Sequence, residues 1–83
     1  MKKEEIISVL SDYICTTFEI GDDPDYSVDV NLFDYGFVDS LQATQIVLFV
    51  EERFGIEITQ SDIVRYPMNT VSEIAEVVSH KLA

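Results

Sequence analysis

Residues 32–58 read LFDYGFVDSLQATQIVLFVEERFGIEI. The stretch starts as a loop and becomes a helix at Ser40. Ahead of Ser40, Gly36 and the aspartates Asp34 and Asp39 interrupt any regular pattern. Beyond it, no Gly or Pro occurs before Gly55, and apolar residues recur at spacings of three and four. This predicts a helix over 40–54, closed by Gly55 as a left-handed cap. With Ala43 placed at the origin of a helical wheel, Ile46, Val47, Val50 and Phe54 fall within about 60° of it and form a core face. Leu41 and Leu48 fall on the far side, at about 150°, beside Gln45 and Glu52. Phe49 lies on a flank with Gln42 and Arg53. Two leucines turned from the core, next to Ser40, predict a helix docked by a partner. The competing account is that a neighbouring helix or loop covers them.

Working outward, FGIEI (residues 54–58) has the look of a strand but no second strand to pair with, so it reads as an extended connector. Thr59 and Asp62 form a capping pair for a short helical turn holding Ile63 and Val64, closed before Pro67. Thr70 and Glu73 spell a T-x-x-E capping box for a last helix over 71–82. Its stripe is Val71, Ile74, Ala75, Val78 and Leu82, with His80 opposite. Upstream, residues 3–18 form an amphipathic helix with Ile6, Val9, Leu10, Tyr13, Ile14 and Thr17 on one side. Cys15 falls near the opposite side, as a bystander. Gly21 and Pro24 end that helix, and a long Asp-rich loop runs to about Asp39. Val28, Val30, Leu32 and Phe33 are expected to pin this loop to the core. A connection of this length in a small domain tends to be functional. The expected fold is an all-α, small four-helix bundle: three longer helices, one short one, and a long loop between the first two.

The 83 residues suffice for one domain, spanning 1–83, with a modest core. A hydrophobic content of 47% argues for a globular chain. Sixteen carboxylates against five Lys and Arg give a net charge of −11. That excludes nucleic acid as a partner, because phosphate contacts need a basic surface. It disfavours anionic membrane surfaces for the same reason. An acidic surface steers basic partners, or simply keeps a small domain soluble. One cysteine allows no internal disulfide, and neither a signal peptide nor a run long enough for stable membrane insertion is present. The expectation is a cytoplasmic monomer.

Ser40 has three possible roles. It can be an ordinary N-cap, its hydroxyl accepting a backbone N–H. As a hydrolase nucleophile it would need a positioned base, and His80 is the only histidine, on the outer face of the last helix. G-x-S-x-G is absent, and no Lys lies near Ser40 in sequence, so catalysis is not expected. The third role is attachment: a helix N-terminus stabilises a phosphate, and Asp39 beside it can help hold Mg²⁺ during transfer by a separate enzyme. The chain is then a substrate that is modified once. A calcium loop over Asp23, Asp25, Ser27 and Asp29 fails at its sixth position, where Val28 replaces Gly, and at its twelfth, where Asp34 replaces Glu. No metal site is expected.

These residues resemble the acyl carrier and peptidyl carrier protein family, over nearly the whole chain to Leu82. The resemblance rests on Leu32-Phe33-Asp34, Gly36, Asp39-Ser40-Leu41, and E-E-R-F-G-I-E-I after the amphipathic helix. It implies that Ser40 carries a 4′-phosphopantetheine arm from coenzyme A, with Asp39 as the neighbouring acid. The arm's thiol would hold acyl groups as thioesters for fatty-acid, polyketide or other specialised biosynthesis. An aminoacyl cargo, D-alanyl or peptidyl in type, is the alternative. The implied partners are a phosphopantetheinyl transferase, a loading ligase and downstream acyl-transfer enzymes. The recognition face would comprise Leu41, Thr44, Gln45, Leu48, Glu52 and Ile63, and a fatty chain would lie near Val47, Leu48 and Ile63. Two departures separate the chain from the commonest fatty-acid carriers. Two residues, Phe37 and Val38, stand between Gly36 and Asp39 where those carriers have one, and G-x-x-D-S resembles D-alanyl and other stand-alone carriers. Gln42 and Gln45 also stand where those carriers place Asp and Glu, leaving Glu51 and Glu52. That favours a more apolar, specific interface. A rival of another class is an acidic helical interaction domain in which Ser40 is only a helix cap.

Overall fold

The first helix, α1 (Lys3–Phe18), puts Ile6, Leu10 and Ile14 on one stripe, and all three are completely buried. The computed structural model describes residues 1–83. The backbone N–H of Lys2 donates to the Glu5 carboxylate at the start of α1, and Glu19, with φ of 56°, ends it in the left-handed region. Next come α2 (Ser40–Phe54), α3 (Gln60–Arg65) and α4 (Val71–Leu82), with no strand between them. FGIEI is an extended connector, as expected, and Gly55 caps α2 with φ of 65°. Both capping pairs form: Thr59 with Asp62, and Thr70 with Glu73.

α4 packs against α1 and, less extensively, against α2. Its contribution to the core is Val71, Ile74, Ala75 and Val78. From α2 come Ile46 and Val50, while Ala43 and Phe54 pack on the periphery of the same cluster. Burying these side chains together, three from α1, two from α2 and four from α4, is the main force holding elements this short together. The long loop acts as a fourth wall, because Ile20, Val30, Leu32 and Val38 all enter the core. Nothing in α3 is buried.

Some expected positions shift. Thr17, in the last turn of α1, is exposed, and Val9 is only half-buried because it lies on the flank of the line through Ile6, Leu10 and Ile14. Leu82 and Phe33 are exposed as well. Cys15 is not a bystander on the solvent side. It is half-buried against the core, because the loop folds over that flank of α1. Tyr26 from the loop bonds Ser11 through their hydroxyls at 2.8 Å, with the Cys15 thiol beside them. Burial pushes the Tyr26 phenol up to about 12; the Ser11 bond pulls against that, and Cys15 adds to it.

Candidate functional site

The long loop ends in a tight closure just ahead of α2. Leu32 is buried, and its carbonyl accepts the N–H groups of both Phe37 and Val38, at 2.9 and 3.1 Å. Gly36 sits between with φ of 74°, a conformation that favours glycine. Asn31 holds the near side, its side-chain oxygen accepting from the amides of Phe33 and Asp34. The two residues between Gly36 and Asp39 thus have separate places. Val38 is buried, and the Phe37 ring stacks on that of Tyr35.

This closure delivers Asp39 to the head of α2, where it is the N-cap. Its carboxylate accepts the Gln42 N–H at 2.8 Å, and the Gln42 side chain accepts the Asp39 N–H at 3.0 Å, a reciprocal capping box. Ser40 is therefore not the cap. It is the first helical residue, exposed, and its hydroxyl has no hydrogen-bond partner in the chain. Its carbonyl is engaged, accepting from the Thr44 hydroxyl at 3.2 Å. The amides of Ser40 and Leu41 lie in the first turn and have no partner in the chain. A free hydroxyl thus sits at the positive end of a 15-residue helix, a place suited to a phosphate ester.

Ser40 is flanked by the exposed apolar side chains the wheel predicted. Leu41 is 70% and Leu48 59% exposed, so no neighbouring helix or loop covers them. Thr44, Gln45 and Glu52 are exposed, and so is Ile63 on α3. These six residues do not form one groove. Thr44 and Ile63, with Val47, line a groove of about 590 Å³ between α2, the loop and α3. Gln45, Leu48 and Glu52 line a shallower one of about 400 Å³ between α2 and α1. The floor of the shallower groove is Tyr13 stacked on Phe49, with ring centroids 3.8 Å apart. Leu48 therefore does not share a cavity with Val47 and Ile63, since it lies a quarter-turn from Val47 on the other side of α2. Sequence reasoning also missed Val64, 86% exposed beside Ile63. Adjacent residues on a six-residue helix cannot both face inward, which was the available signal.

The acidic loop uses its side chains to shape its own turns and to tie itself to α4. Asp23 and Ser27 each accept an amide two residues ahead, and the Asp29 carboxylate accepts the Ser72 hydroxyl at 2.8 Å.

The family model described as "Phosphopantetheine attachment site" matches residues 8–78. The chain belongs to the phosphopantetheine-attachment family. Membership brings the covalently attached cofactor 4′-phosphopantetheine, and an exposed hydroxyl at a helix N-terminus fits its phosphate. Among curated proteins, the chain is 32% identical to D-alanyl carrier protein 1 of Lactiplantibacillus plantarum, over 94% of this chain and 90% of the relative. It is 32% identical to the D-alanyl carrier protein of Lactococcus lactis subsp. cremoris, over 95% and 94%. It is 29% identical to that of Lactobacillus helveticus, over 87% and 84%. The phosphopantetheine carrier resembles D-alanyl carriers along almost its full length. No helix is long and apolar enough to cross a membrane.

Proposed function

We propose that the chain is a carrier of the D-alanyl type, with Ser40 as the attachment residue and an aminoacyl thioester as the cargo. One observation carries the assignment of Ser40: Asp39 takes over the capping bond, leaving the Ser40 hydroxyl exposed and unpaired. In the transfer, Ser40 Oγ forms a bond to phosphorus of coenzyme A, the pyrophosphate linkage breaks, adenosine 3′,5′-bisphosphate leaves, and the hydroxyl proton passes to the transferase. The arm then supplies the thiol that holds cargo as a thioester. The first-turn amides favour the phosphate, and the neighbouring Asp39 assists at the metal of the transferase.

The aminoacyl reading rests on the three relatives above, which are D-alanyl carriers by name, and on the G-x-x-D-S spacing with Val38 buried. It is preferred to a fatty-acid or polyketide role. The chain itself is non-catalytic in this account and works in the cytoplasm. Its partners are a phosphopantetheinyl transferase, a loading ligase and the enzymes that take the cargo. They dock on Leu41, Thr44, Gln45, Leu48, Glu52 and Ile63. The test offers the phosphopantetheinylated chain ATP with a D-alanine-activating ligase, and separately with a fatty-acid-activating one. A hydroxylamine-labile D-alanyl adduct supports the reading. A fatty-acyl adduct, with no D-alanyl adduct from a ligase active on its own carrier, overturns it.

A further inference from the structure

Helix α3 is held by its ends and by polar contacts, not by burial. At one end Ile58 packs against the core and its N–H donates to the Glu51 carboxylate at 2.9 Å. At the other end Met68 packs against the core, and the Asn69 carbonyl accepts the Leu32 N–H at 2.8 Å. Between these anchors α3 buries no residue. Its ion-pair and aromatic contacts to another helix both go to the last turns of α4. The Lys81 ammonium lies 2.6 Å from Asp62, and the Tyr66 ring stacks on His80, centroids 5.8 Å apart. The Asp62 side chain is only 13% exposed, and the same oxygen accepts the N–H and the hydroxyl of Thr59. Lys81 first, then the Thr59 amide, hold the Asp62 carboxyl down at about 2. Gln60, Ile63, Tyr66 and Pro67 of this segment line the 590 Å³ groove together with Thr44 and Val47.

We propose that residues 59–67 form a strap over this groove and that the Asp62–Lys81 pair, with the Tyr66–His80 stack, is the clasp fixing the strap to α4. Both ends of the strap are anchored in the core, so releasing the clasp moves the groove wall without unfolding the bundle. Segments with little burial and exposed hydrogen bonds open first in native proteins. Lys81 is thus a positioning residue that sets access to a cavity it does not touch. The inference does not depend on what Ser40 carries, and it is tested on the unmodified chain.

The experiment is amide hydrogen exchange by NMR, with binding of the neutral apolar dye Nile red, on wild type, Lys81→Met, Asp62→Asn and Lys81→Arg. Asp62→Asn keeps an oxygen for the Thr59 amide and removes only the charge. Methionine and asparagine variants should exchange Ile63, Val64 and Tyr66 amides about threefold faster or more, at least the scale of one surface ion pair. Exchange at Leu10, Ile14 and Val78 should stay at wild-type rates, dye binding should rise, and Lys81→Arg should restore both readings. Unchanged exchange in the strap, an equal rise in α1 and α4, dye binding at the wild-type level, or an arginine variant that behaves like the methionine one would each overturn the clasp.

Discussion

Asp39 caps α2 through a 2.8 Å bond from the Gln42 amide, and that bond sets Ser40 free one residue further on. The stability cost of altering the two neighbours should therefore be opposite to what a serine cap would give. Asp39→Ala should lower stability by about 1 kcal/mol. Ser40→Ala should change it by less than about 0.5 kcal/mol, as for exposed positions without a partner. Urea denaturation of both variants checks this, and a larger loss at Ser40 would restore it as the cap.

Gly55 ends α2 in the left-handed region, with nothing near where a Cβ would stand. Gly55→Ala should cost about 1 kcal/mol through backbone strain alone. Because no clash is involved, Gly55→Asn should recover part of that loss. Thermal melts of the two variants side by side measure the difference.

The Tyr26–Ser11 bond fastens the long loop to α1, and burial holds the phenol protonated to about pH 12 against an ordinary value of 10.0. The folded form binds the proton more tightly than the unfolded one. The contribution is therefore complete below pH 10 and is lost as pH rises from 10 towards 12. Stability measured across that window should fall more steeply for wild type than for Tyr26→Phe. Parallel curves would mean that the phenol titrates alike in the folded and unfolded chain, and so that burial does not raise it.

Leu48 and Leu10 separate docking from folding. Leu10 is fully buried, and Leu10→Ala should destabilise by about 2–5 kcal/mol. Leu48 stands out beside the Tyr13–Phe49 stack, so Leu48→Glu should leave the fold intact. It should still permit phosphopantetheinylation but slow loading by the ligase severalfold, read as a rise in KM. An unchanged KM would remove Leu48 from the docking face.

Most of the fold was legible because local signals agreed with one another. T-x-x-E at Thr70, the Thr59–Asp62 pair and Gly55 each marked an end that the structure keeps. The wheel placed Leu41 and Leu48 outside, because α2 is regular from end to end. Whether Ser40 was the cap of α2 stayed open in the sequence, since Asp and Ser are both good caps and stand side by side. The discriminating signal was Gln42: counted from Asp39 it completes a D-x-x-Q box. Long-range facts were not legible. Which flank of α1 the loop would cover, and hence that Cys15 is half-buried under Tyr26, depends on packing between segments far apart in sequence. The split of the docking residues into two grooves depends likewise on where α3 sits.

The most direct test of the account is intact-protein mass after incubation with coenzyme A, Mg²⁺ and a broad-specificity phosphopantetheinyl transferase, for wild type and Ser40→Ala together. The account predicts a gain of one phosphopantetheine group on wild type and none on a folded Ser40→Ala. A gain on both, or no gain on wild type from an enzyme active on a control carrier, would contradict it.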